Sequence, residues 1–159
     1  MADAKFHDGS ENPLRLKAET AEDLAVISTF VQDAVGQNSE ISWLAKKHRF
    51  AMLLNRFRWE DEESAKQQGR PFERVQSTLV VDSCLKVTAQ GIDPKDKDMA
   101  FDLLSIGFEA GEDGAGKVIL TLAGDGAIAL DVECLDVTLT DVSRPYVARA
   151  QLIPSHPES

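Results

Sequence analysis

Aromatic residues make up only 6% of this 159-residue chain, with a single tyrosine, so most of any core must be aliphatic. Cysteine is rarer still. Cys84 and Cys134 are the only two, which excludes a disulfide framework, and each sits in an apolar stretch that suits a buried free thiol. The three histidines, His7, His48 and His156, are too scattered to form a metal-ligand spacing. No metal and no cofactor are expected. No apolar run approaches the roughly 20 residues that span a bilayer, and residues 1–13 lack the charged start and apolar middle of a signal peptide. A soluble, cytoplasmic protein is the expectation. Positive charge is also in short supply. Lys and Arg number 17 against 27 Asp and Glu, for a net charge of -10, which disfavours nucleic acid and anionic membranes as partners.

Against that acidic background one window is basic and aromatic. Lys46-Lys47-His48-Arg49 through Asn55-Arg56-Phe57-Arg58-Trp59 holds Lys46, Lys47, Arg49, Arg56 and Arg58, five of the 17 cations. Local charge reversal of this kind can steer an acidic partner.

The segment organisation follows from period and punctuation. Residues 1–13 read as a disordered leader, 14–142 as a single α+β domain and 143–159 as an extended C-terminal arm with Pro145, Pro154 and Pro157. Leu14 to Lys17 alternates like a short strand. Thr20 caps a helix whose first turn carries Glu22 and Asp23 and whose apolar positions are Leu24, Ile27, Val31 and Val35, with Gly36 as its stop. From residue 40 the period falls to two. Ile41 and Trp43 begin a hairpin that turns at Lys46 to His48 and returns through Phe50, Met52 and Leu54.

Arg56 and Arg58 then occupy the apolar parity, which implies either a bulge or a face passing from core to solvent. Glu60 to Glu73 is a polar connection with room for one helical turn. Val75 to Ile92 reads as one long strand with an irregularity at Asp82, and Asp93 to Asp98 as a turn. Leu104, Ile106 and Phe108 share one parity, as do Val118, Leu120 and Leu122, and Ile128, Leu130, Val132 and Cys134. After Cys134 the parity flips to Leu135, Val137 and Leu139. The sum is one N-terminal helix plus a mainly antiparallel sheet of about six or seven strands. Such a sheet can curl into a half barrel or a barrel of the pleckstrin-homology type, although that fold places its helix after the strands.

Candidate chemistry is sparse. Asp131 and Glu133 share a strand face and should lie about 7 Å apart, a spacing that serves an acid and base or a cation, and equally an ordinary solvated face. If that strand neighbours the basic one, Arg56 or Arg58 could pair with these acids instead of meeting a partner. Ser83 and Cys84 lack the Gly-rich elbow of an activated nucleophile. The glycines of 111–116 lead into a strand, not a helix, and so form a turn and not a phosphate cradle. Trp43, Phe57 and Trp59 beside the arginines could stack on bases, but the net charge argues for core aromatics.

Two stretches, Trp43 with Arg49-Phe50 and Asn55 to Glu60, and later Gly126 to Leu135, resemble a bacterial family known as domain of unknown function 2948. The resemblance runs from about Leu14 to Pro157. It implies a small cytoplasmic bacterial protein and brings no reaction, cofactor or site residue with it.

The expected function is a non-enzymatic protein-interaction module that contacts an acidic protein partner through Arg49, Arg56 and Arg58, with Trp59 as an anchor. The alternatives are an enzyme that uses Asp131 and Glu133 on a small anionic substrate, and a homodimer subunit that pairs through an open strand edge.

Overall fold

The computed structural model describes residues 13–147. In chain order these form β1 (Arg15–Ala18), α1 (Ala21–Phe30), β2 (Ala34–Gln37), β3 (Ile41–Leu44), β4 (Arg49–Phe57), α2 (Glu62–Gln68), β5 (Glu73–Val81), β6 (Cys84–Gln90), β7 (Ala100–Ala110), β8 (Gly116–Leu122), β9 (Gly126–Val132), β10 (Val137–Asp141) and β11 (Tyr146–Val147). The expected leader lies almost wholly outside the described residues, as does 148–159 of the expected arm. The described start of that arm adds β11 to the sheet, antiparallel to β5.

All the strands belong to one antiparallel sheet, in the order β1-β10-β5-β4-β2-β7-β8-β9-β6, with β3 beside β4 and β11 beside β5. The mainly antiparallel architecture matches the sequence reading, but the described residues form eleven strands where six or seven were expected, and their sheet does not close into a barrel. Short strands such as β2 and β11, of four and two residues, offer too few alternations to register as separate elements in a pattern. Helix α1 packs against both β1 and β7, which stand far apart in the strand order, so the sheet curls around it. No described helix is long and apolar enough to cross a membrane.

The helix begins as its sequence dictates. Thr20 is extended and its Oγ1 accepts from the Asp23 N–H at 3.1 Å, a cap that stabilises by about 1 kcal/mol. Leu24 and Ile27 are buried. The end differs from expectation. Phe30 closes the helix, Asp33 makes the left-handed turn at φ 62°, and Val35 and Gly36 belong to β2. Gly36 serves packing: a Cβ there would stand 2.5 Å from Phe101 Cζ.

Other assignments hold in register. Trp43 pairs with Phe50 across the β3–β4 hairpin, and His48 takes the left-handed conformation that closes the turn. Val118, Leu120 and Leu122 on β8 and Ile128, Leu130 and Val132 on β9 all point into the core. On β7 a register shift between Leu103 and Ser105 lets Phe101 and Leu103 face inward before it and Ile106 after it.

The expected long strand from Val75 to Ile92 is two strands. Ser83, at φ 59°, turns a corner between β5 and β6. The two halves then lie in different parts of the sheet, β5 between β4 and β10 and β6 at one end beside β9. Cys84 is buried as expected, whereas Cys134 is exposed because β9 ends at Val132.

Candidate functional site

The basic segment does not present its arginines to solvent. Phe50, Met52, Leu54 and Arg56 all lie on the buried face of β4, and β4 pairs with β5 in unbroken register from Phe50–Val81 to Phe57–Arg74. Neither a bulge nor a change of face occurs. The arginine enters the interior, at 0% exposure, because polar partners from three parts of the chain converge there.

Glu60 takes both terminal nitrogens of Arg56, Nη1 at 2.9 Å and Nη2 at 2.8 Å. Asp141 at the end of β10 accepts from Nε and Nη2, and the Ser77 hydroxyl lies 3.1 Å from Nε. Asp141 also accepts from Ser77 Oγ at 2.7 Å and from the Leu14 N–H at 2.8 Å. Burial opposes the charge on Arg56, but the hydrogen bonds and charge of Glu60 together with Asp141 outweigh it. The guanidinium pKa is held above its ordinary value.

Arg58 is also buried and meets Glu73 and Asp61, and Arg70 clamps Asp61 through two 3.0 Å hydrogen bonds. Trp59 spends its indole N–H on the Gln32 carbonyl at 3.2 Å and packs edge-on against Phe57. Arg49 is exposed but bonded to Asp82 at 2.7 Å, the hydrogen bond that chiefly raises its pKa. Arg56 and Arg58 are therefore spent on internal carboxylates at one end of β4 and are not free contacts for a partner, while Trp59 is half-buried beside them. Their carboxylate partners are Glu60, Asp61, Glu73 and Asp141, not Asp131 or Glu133.

Asp131 faces Lys117 at 3.6 Å, while Glu133 lies beyond the strand end, where its N–H donates to the Ser83 carbonyl. Among the described residues no group of three His, Cys, Asp or Glu could hold a metal ion.

The opposite end of β4 frames a different feature. Among the described residues strand β6 pairs only with β9, and β3 only with β4, so each has a free edge there, and residues of both strands line one gap. Both ends of the gap are tied. At one end the Cys84 N–H donates to the His48 carbonyl at 2.9 Å. At the other, Asn38 Nδ2 donates to the carbonyls of Asp93 and Asp96, each at 2.9 Å, and the Ser39 N–H reaches the Lys97 carbonyl.

Between the ties lies an apolar slot of about 430 Å³, within the size range of binding pockets. Trp43 and Phe50 form one side and Val87 and Ala89 the other, with Ile128 contributing behind and Ile92 at the tied end. Among the described residues Lys97 is its only charged lining residue. Asn38 is buried, and its Oδ1 has no hydrogen-bond partner among the described residues, an arrangement that costs about 1–3 kcal/mol.

The rim extends the same chemistry. Leu44 and Leu85 are exposed beside it, at 43% and 48%. Lys46 and Lys47 stand on the turn that touches β6, and Lys86 on β6 itself. Among the described residues none of these lysines, nor Lys97, makes an ion pair, whereas Arg49, Arg56, Arg58 and Arg70 all do. Of this region, the sequence marked Ile41, Trp43, Phe50 and Ile128 as apolar strand positions and Lys46–His48 and Asp93–Asp98 as turns, without bringing them together. Periodicity carries no sign that β3 and β6 lie side by side.

Fold and slot together define a mainly antiparallel β protein with an apolar, lysine-rimmed opening where its sheet fails to close. The chain matches the family described as "Protein of unknown function (DUF2948)" over residues 14–156, and it belongs to that family. No curated protein and no solved structure matches it.

Proposed function

We propose that the protein is a non-enzymatic interaction module that takes an acidic partner at the seam between β3 and β6. The observation that carries this reading is the division among its cations. The buried arginines are saturated by internal carboxylates, while Lys46, Lys47, Lys86 and Lys97 around the slot have no such partner among the described residues. Unpaired lysines beside exposed leucines and an apolar slot supply both steering and burial. In a protein of net charge -10 they also select the face on which an acidic partner can land. The cytoplasmic location expected from the sequence belongs to the same reading, since Cys84 and Cys134 would stay reduced there.

Selection from a displayed random-peptide library on the folded protein tests it. Enriched peptides should combine Asp or Glu with an apolar residue, and the enrichment should vanish on the Lys46→Glu, Lys47→Glu, Lys86→Glu variant. These three side chains are exposed, so the variant should fold. Peptides without acidic bias, or equal enrichment on the variant, would reject the reading.

A further inference from the structure

We infer that the slot is a receptor for a chain terminus: it takes the final residue of an acidic peptide, with an apolar side chain between Trp43 and Val87 and its α-carboxylate on Lys97. The inference rests on the interaction-module reading and adds what the partner must present.

The ties at the two ends decide the geometry of entry. A strand added along the free edge of β6 would run on past the slot in both directions. It would collide with the Cys84–His48 bond at one end and with the turn held by Asn38 at the other. β3 is four residues long, about 13 Å at 3.3 Å per residue, so the bounded length is short. A group that enters from outside and stops meets neither tie.

The lining then selects what enters. Walls of Trp43, Phe50, Val87 and Ile128 leave a volume of about 430 Å³, ample for one leucine or phenylalanine side chain, whose burial contributes about 1.5–3 kcal/mol. Among the described residues no acid lines the slot, and Lys97 is its single cation. An apolar side chain and an anionic group must therefore arrive close together. A C-terminal leucine or phenylalanine carries both on one α-carbon. An internal leucine supplies only the apolar half.

The rim accounts for the rest of the peptide. Lys46, Lys47 and Lys86 stand outside the slot on the turn and strand that border it, where acidic residues preceding the terminus would pass. Lys97 shares its turn with Asp96 and Asp98. With Asp93 and Lys95 they make the turn net acidic, so a carboxylate gains from Lys97 only in direct contact.

The experiment uses the full chain and an acetylated pentapeptide of four glutamates ending in leucine. It is compared with the same peptide as its C-terminal amide, with an alanine-ended version, and with N-acetylleucine alone. Binding is read by labelled-peptide anisotropy and by the fluorescence of Trp43 in a Trp59→Phe background, with N-acetylleucine assayed by fluorescence. The free acid should bind at least about tenfold more tightly than the amide, equivalent to about 1.4 kcal/mol. The alanine-ended peptide should be weakened similarly. Lys97→Met should bring the acid down to the level of the amide and leave the amide unchanged.

Equal binding of acid and amide, lost together on reversal of Lys46, Lys47 and Lys86, would overturn the terminus inference and keep the acidic-partner reading. No binding of the free acid at millimolar concentration would overturn the inference as well. If N-acetylleucine matched the pentapeptide, the site would belong to small amphipathic carboxylates, and the peptide source would be overturned.

Discussion

The backbone N–H of Cys84 donates to the carbonyl of His48 at 2.9 Å across 36 positions of sequence. This bond fixes the first residue of β6 against the turn that follows β3. It makes the gap between the two free edges a bounded slot instead of an open cleft. Cys84 is buried and His48 left-handed, so both partners are held by their own surroundings.

The cluster around Arg56 predicts a large stability effect. Arg56→Ala removes the cation from between Glu60 and Asp141, and the Asp141 side chain, 4% exposed, is left without its counter-charge. The expected loss is about 3–5 kcal/mol, read as a shift in the urea midpoint, because an unpaired buried charge costs more than the pair contributed. Arg49→Ala, at an exposed pair screened by solvent, should shift the midpoint far less. Similar losses for the two would refute the structural role assigned to Arg56.

Cysteine accessibility separates the two thiols. Cys134 is exposed and Cys84 buried, so iodoacetamide should modify Cys134 in native buffer and Cys84 only in denaturant. Mass spectrometry of the labelled peptides decides it, and native labelling of Cys84 would contradict its place in the core.

The same thiol gives a pH dependence. Burial pushes Cys84 up from its ordinary value of 9.0; a backbone hydrogen bond with Lys86 lowers it, and the nearby charge of Asp131 raises it further. A group whose folded-state pKa is raised favours the fold fully below 9.0, and that contribution is lost as pH rises through the folded value. Urea midpoints should therefore fall more steeply above pH 9.0 in the wild type than in Cys84→Ala. Parallel curves would show that the thiol is not coupled to folding.

Gly36 predicts a packing defect that a second change relieves. An alanine Cβ would press on the Phe101 ring at 2.5 Å, so Gly36→Ala should cost about 1–3 kcal/mol. Combination with Phe101→Leu should recover part of that loss. A thermal-unfolding cycle measures the coupling, and strict additivity would disprove the contact.

Patterns confined to neighbouring residues were legible without coordinates. Thr20 with Glu22 and Asp23 marked the start of α1, and the alternation of Phe50, Met52 and Leu54 marked the inward face of β4. The parity flip after Cys134 marked the passage from β9 to β10. What escaped was whatever depended on a distant segment. Arg56 broke the hydrophobic pattern, yet its side chain sits inside because Asp141 lies 85 positions away. Val75 to Ile92 kept one apolar rhythm, yet the chain turns at Ser83, because β5 and β6 find their partners in different parts of the sheet.

The sequence by itself determined the class of fold, the start of the helix and the inward positions of most strands. Each follows from backbone geometry with a period of 3.6 or 2 acting over a few residues. Only the tertiary structure decided which cations are spent and which are free. That depends on whether carboxylates far along the chain come within hydrogen-bonding reach, as they do for Arg56 and Arg58 and, among the described residues, do not for Lys46, Lys47, Lys86 and Lys97. The slot arose the same way, from two short strands whose free edges are brought together by the curl of one sheet.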